Sequence, residues 1–158
     1  MKLKGIAKLI VSILVCQAAG LIGSVFTIAN IPTWYAALEK PFFTPPNWVF
    51  APAWTTLFLL MGIALFIVWN KGLNTKASKI AVSIFAVQLV LNILWSALFF
   101  GLQSPFLGFI EIILLWIAIL LTIIAFARVS KSAALLLIPY ILWVSFASLL
   151  NYSVWILN

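Results

Sequence analysis

Residues 80–101 read IAVSIFAVQLVLNILWSALFFG, an unbroken stretch without a charged side chain. A helix of about 20 apolar residues crosses the hydrocarbon core of a bilayer, whereas a membrane strand needs only about 10. Length therefore decides for a membrane-spanning helix over a buried strand. Its polar residues are not scattered. Gln88, Asn92 and the Trp95/Ser96 pair fall at i, i+4 and i+7/i+8, which is one face of one helix. Lipid-facing positions are uniformly apolar, so this face points at protein.

Four other stretches have the same character: Leu9–Ala29, Val49–Trp69, Phe106–Ala127 and Ser132–Ile156. The whole chain of 158 residues is 66% apolar and only 7% charged, with a mean hydropathy of +1.29. A soluble domain needs far more charge to cover its surface. Lipid is the remaining solvent, and with no water in the bilayer core each stretch must satisfy its own backbone as a helix. The expected fold is a single all-α, five-helix transmembrane domain over residues 1–158, with a long first loop over residues 30–48.

Charge sets the expected orientation. Lys2, Lys4, Lys8, Lys71, Lys76, Lys79, Arg128 and Lys131 fall on one side, leaving Lys40 as the exception among nine basic residues. The basic side is expected to be cytoplasmic, with the N-terminus inside, the C-terminus and the first loop outside, and the cell membrane as the location. The net charge of +7 reads as membrane orientation and not as nucleic-acid binding, because no basic stripe exists. The basic start and apolar first stretch resemble a secretory signal, but the apolar run exceeds an ordinary signal core of roughly 7–15 residues. Ile13-Leu14-Val15 before Cys16 lacks the small residue of a lipoprotein cleavage site, so a retained helix is expected. One cysteine allows no internal disulfide. No histidine is present, which excludes His-ligated zinc, a proximal-His haem and a Ser-His-Asp triad; no metal site and no required cofactor are expected.

Two further helix faces match that of residues 80–101. Tyr140, Trp143, Ala147 and Asn151 fall at i, i+3, i+7 and i+11, and Trp54, Phe58 and Met61 at i, i+4 and i+7. A lone amide in a membrane helix reads most simply as a link between helices, worth only about 0.6 kcal/mol. Two faces that each pair amides with tryptophan point instead to a lined cavity for a flat, amphipathic small molecule. Glu111 is the one acid within a span. An ionised acid in hydrocarbon is costly, so Glu111 either serves function or gating, or sits protonated against a neighbouring helix. Pro139 is expected to interrupt the last helix. Ala97-x-x-x-Gly101 permits close helix approach and is compatible with a dimer.

The first loop, WYAALEKPFFTPPNWVFAPAW over residues 34–54, is dense in tryptophan and proline. Thr33 is expected to cap a short helix through Trp34–Lys40 that Pro41 ends. Pro45-Pro46 holds the next stretch extended, and Pro52 fits a first helical turn. Trp48 reads as an interfacial anchor. Trp34 and Tyr35 lie far from either helix end and are expected to close over a cavity whose wall includes Trp54, since long semi-rigid loops often act as lids. Glu39-Lys40 reads as an exposed, screened pair that contributes little energy.

These motifs resemble the tryptophan-rich sensory protein/translocator protein family, also called the peripheral-type benzodiazepine receptor family. The resemblance runs from Trp34 onward. It rests on Trp34-Tyr35-x-x-Leu38-x-Lys40-Pro41, Pro45-Pro46 and Trp54, then Gln88-x-x-x-Asn92-x-x-Trp95 with Phe99-Phe100-Gly101. Pro139-Tyr140-x-x-Trp143-x-x-x-Ala147-x-x-x-Asn151-Tyr152 completes it. It implies five packed helices, a lid-like first loop, a homodimer in the lipid bilayer, and a pocket for porphyrins and for isoquinoline or benzodiazepine ligands. It implies protoporphyrin IX or a related tetrapyrrole as ligand or substrate, with light-dependent breakdown at Trp34 and Trp143. By matched position Tyr35, Trp54, Phe58, Asn92, Trp95, Glu111, Tyr140, Ala147 and Asn151 belong to the pocket, Glu111 at a position often acidic in the family. Tyr152 is followed by Ser153-Val154-Trp155-Ile156-Leu157-Asn158, without the basic residue of the cholesterol consensus. That weighs against cholesterol binding. A transporter with Glu111 as coupling acid and a regulatory scaffold remain open alternatives. The orientation has a direct test: a reporter fused after Asn158 should be active outside the cytoplasm, and cytoplasmic activity would overturn it.

Overall fold

The computed structural model describes residues 3–158; Lys2, counted above in the charge asymmetry, lies outside them. Among the described residues there are helices and turns and no strand. The helices are α1 (Leu3–Ile28), α2 (Phe50–Lys71), α3 (Lys76–Ser96), α4 (Pro105–Ala127), α5 (Lys131–Leu135) and α6 (Ile138–Leu157). Five spans are long and apolar enough to cross a membrane, the last being Lys131–Leu157, which holds α5 and α6 together. This is a multi-pass membrane protein.

Local chemistry sets the helix ends. Ser104 Oγ accepts from the Leu107 amide at 3.2 Å, and Pro105 follows at the first turn of α4, where its missing N–H costs nothing. Thr75 Oγ1 caps α3 by accepting from the Ser78 amide at 3.1 Å. Pro139 acts the same way as Pro105: it occupies the first turn of α6, and the chain turns between Leu135 and Ile138. The expected interruption thus becomes a break between two helices.

The helices close into a ring in the order α1, α2, α5/α6, α4, α3, with α3 packing back on α1. α1 and α2 approach closely at Gly62. A β-carbon there would stand 2.7 Å from the Ile13 α-carbon, so only glycine admits this approach of two backbones. α2 and α6 instead meet through rings, Phe50 against Trp143 at 6.0 Å and Trp54 against Tyr140 at 6.3 Å between centroids. Large apolar side chains such as Leu14 and Val25 point outward, as lipid requires. Gly101, read above as a helix-contact residue, faces Phe26 of α1 in the same chain.

The first connection departs from the expected short helix. The chain leaves α1 directly into a wide turn over Ile31–Tyr35, in which the Tyr35 amide donates to the Asn30 carbonyl at 2.9 Å. Thr33 does not cap it; its hydroxyl donates to the Ala29 carbonyl at 2.9 Å. Helical geometry ends at Ala37, well before Pro41. A second wide turn, Ala97–Gly101, closes α3 and buries both Phe99 and Phe100. Gly62→Val should destabilise the protein by about 1–3 kcal/mol through overpacking, measured by unfolding in detergent. Wild-type stability in that variant would refute the close α1–α2 approach.

Candidate functional site

A cavity of about 340 Å³ lies between α1, α2, α3 and α6 beneath the first loop. Tyr35 forms part of its roof. Trp54 and Phe58 come from α2, Asn92 and Trp95 from α3, and Trp143, Ala147 and Asn151 from α6. Spacing placed these residues on three inward faces, and the fold brings those faces to one cavity. No charged side chain is in the wall.

The amides serve two purposes at once. Asn92 Nδ2 donates to the Tyr140 hydroxyl at 2.8 Å, and that hydroxyl donates to Gln88 Oε1 at 2.9 Å. Nearer the roof, Trp95 Nε1 donates to Asn151 Oδ1 at 3.0 Å, and Asn151 Nδ2 donates to the Pro105 carbonyl at 2.7 Å. Both relays join α3 to α6, the plain structural role of a membrane amide. Asn92 and Asn151 nonetheless also reach the cavity surface. Gly108 makes room for the second relay: a β-carbon there would stand 2.8 Å from the Phe99 ring and 3.0 Å from Asn151 Oδ1.

Three expected pocket residues lie outside the wall. Tyr140 is buried behind Asn92, as the centre of the first relay. Glu111 is only 3% exposed, and neither carboxyl oxygen has a hydrogen-bond partner. The resemblance placed it at the pocket by position alone, and one helical turn separates it from Gly108, which packs against Phe99 and Asn151. Trp34 packs edge-on against Phe99 at 5.5 Å and Phe100 at 6.3 Å, behind Tyr35 rather than beside the cavity. Trp143 does line the cavity, while its Nε1 is buried without a hydrogen-bond partner. Trp48 is 74% exposed and stands on the outer surface, as an anchor would.

Sequence reasoning missed the contribution of α1. Gly20, Gly23, Ser24 and Thr27 line the cavity. The signal was available, since Ser12, Cys16, Ala19 and Gly23 repeat small residues at helical spacing and all are buried. It also missed Phe50 and Phe99, whose positions depend on how the loop and the end of α3 fold.

The roof belongs to a second apolar core of Tyr35, Phe99, Phe100, Leu150 and Val154, against which Trp34, Leu38 and Phe43 pack. Burial pushes the Tyr35 phenol up from its ordinary pKa, so it stays neutral. Lys40 is not the screened partner of Glu39. Its ammonium lies 4.8 Å from the Tyr35 ring centre and donates to the Leu38 carbonyl at 2.9 Å. The far end of α6 clasps the loop: Glu39 N donates to Asn158 Oδ1 and Asn158 Nδ2 donates to the Glu39 carbonyl, both at 3.0 Å.

The sequence model of the TspO/MBR family matches residues 12–156. The chain belongs to the TspO/MBR family. It is 53% identical to the tryptophan-rich protein TspO of Archaeoglobus fulgidus, over 97% of this chain and 98% of that one. It is 36% identical to the translocator protein of Ovis aries, covering 90% and 85% of the two chains. It is 34% identical to the tryptophan-rich sensory protein of Cereibacter sphaeroides, covering 79% and 77%. In this TspO/MBR protein the loop is held by a reciprocal amide pair, which gives a test. Asn158→Ala should speed hydrogen exchange of the Glu39 amide about tenfold, the loss of roughly 1–2 kcal/mol from local opening. Unchanged exchange across residues 36–44 would show that the clasp holds nothing.

Proposed function

We propose that this protein is a membrane sensor or translocator of the TspO/MBR type whose cavity binds a tetrapyrrole, protoporphyrin IX or a close relative. The observation that carries the reading is the wall itself, an apolar chamber with Trp54, Trp95 and Trp143 and a few convergent polar atoms. Indole faces suit a flat aromatic macrocycle, and pockets of this make-up hold amphipathic small molecules. Isoquinoline and benzodiazepine ligands share the flat aromatic shape and belong to the same reading. The names of the relatives, translocator protein and tryptophan-rich sensory protein, support the broader role. Trp143, in the wall, is the residue proposed to meet an excited porphyrin when light and dioxygen act on it. Trp34 takes a supporting place in that chemistry, holding the roof from behind. The protein is further proposed to work as a homodimer in the cell membrane.

Titration of purified protein with protoporphyrin IX should quench tryptophan fluorescence to saturation; a linear, unsaturating response would reject the binding site. Under illumination with oxygen the complex should form a new absorbing product, and Trp143→Phe should remove most of it while binding persists. Equal product with and without protein would leave a binding protein and end the photochemical claim.

A further inference from the structure

The cavity wall carries no charge, yet one cation stands at its roof. Among the described residues, Lys40 is the only basic side chain in the connections at the cavity's end of the bundle. Lys71, Lys76, Lys79, Arg128 and Lys131 belong to the connections at the opposite end, and Lys4 and Lys8 to the start of α1 there. Among the described residues Lys40 makes no ion pair. Its ammonium donates to two backbone carbonyls, Leu38 at 2.9 Å and Ala36 at 3.3 Å. It keeps a third N–H, and Tyr35, the ring beneath it, is itself part of the cavity lining. Glu39 beside it is exposed, and its backbone is pinned by Asn158. The backbone beside the lysine is therefore held in place, and its ammonium is held by exchangeable bonds to main-chain carbonyls.

A ligand with a flat apolar body can bury that body here, but an ionised acid on it cannot enter an uncharged chamber within a membrane. The acid must stay at the roof, where Lys40 supplies the positive charge. A lysine ammonium suits this because it is a mobile point charge that can exchange a backbone carbonyl for a carboxylate.

We propose that Lys40 is a specificity-determining residue that receives an acidic group of the bound ligand, so that the cavity selects an amphipathic aromatic carboxylate over its neutral ester. The inference rests on the binding reading above, and the following experiment separates the two. Protoporphyrin IX and its dimethyl ester are titrated into wild type, Lys40→Gln and Lys40→Arg by tryptophan quenching. Lys40→Gln should weaken the diacid about five- to tenfold and leave the ester unchanged, with Lys40→Arg close to wild type. The diacid's advantage in wild type should shrink as salt rises. Equal weakening of both compounds would make Lys40 a support of the roof and overturn the inference, and so would no weakening of either. Exchange of the Glu39 amide in Lys40→Gln reports independently that the roof is intact. Failure of both compounds to saturate wild type would reject the tetrapyrrole reading, and the carboxylate role with it.

Discussion

In hydrocarbon a backbone amide has no water to turn to when its partner is lost. That constraint governs this molecule more than any side-chain contact. It makes every span a helix, keeps the α2–α3, α3–α4 and α4–α5 connections short, and confines irregular backbone to places that protein can cover. The first connection is the large exception. It survives because its rings are buried in a core of their own with Phe99, Phe100 and Leu150, and because its carbonyls find the Lys40 ammonium and the Asn158 amide.

The same constraint explains why the cavity lies where it does. α1 and α2 are pressed together at Gly62, and α3 packs along α4, so little space remains on those sides. The α2–α6 seam is filled by rings at 6 Å rather than by interlocking backbones. Aromatic side chains hold helices apart while still sealing them, and the gap they keep open is lined by the faces that made it. The amide relays then tie α3 to α6 across the far wall, so the chamber has a fixed width on that side.

Much of this was legible in the sequence, and the parts that were not share a cause. Span count followed from length and hydropathy, because lipid leaves the chain few choices. The inward faces of α2, α3 and α6 followed from periodicity, because Trp54, Asn92 and Asn151 stand out against apolar surroundings. No inward face was assigned to α1, since serine, alanine and glycine at helical spacing carry little contrast, yet it supplies a wall. Trp34 was placed by its position in a long loop and Glu111 by resemblance, and neither fixes the direction of a side chain. The short helix at Trp34–Lys40 failed for a local reason: the chain never leaves helical geometry after Asn30 long enough for Thr33 to act as a cap.

The burial of the roof has a thermodynamic consequence. Moving it aside means pulling Tyr35, Phe43 and their neighbours out of an apolar core, so the motion is a small unfolding event rather than the swing of a loose flap. Opening then carries a positive heat-capacity change, and any guest that entered past the roof would show exchange with the temperature curvature characteristic of protein unfolding. The residence time of any guest would then be tied to the stability of a cluster whose members Tyr35, Phe99 and Phe100 also line the chamber.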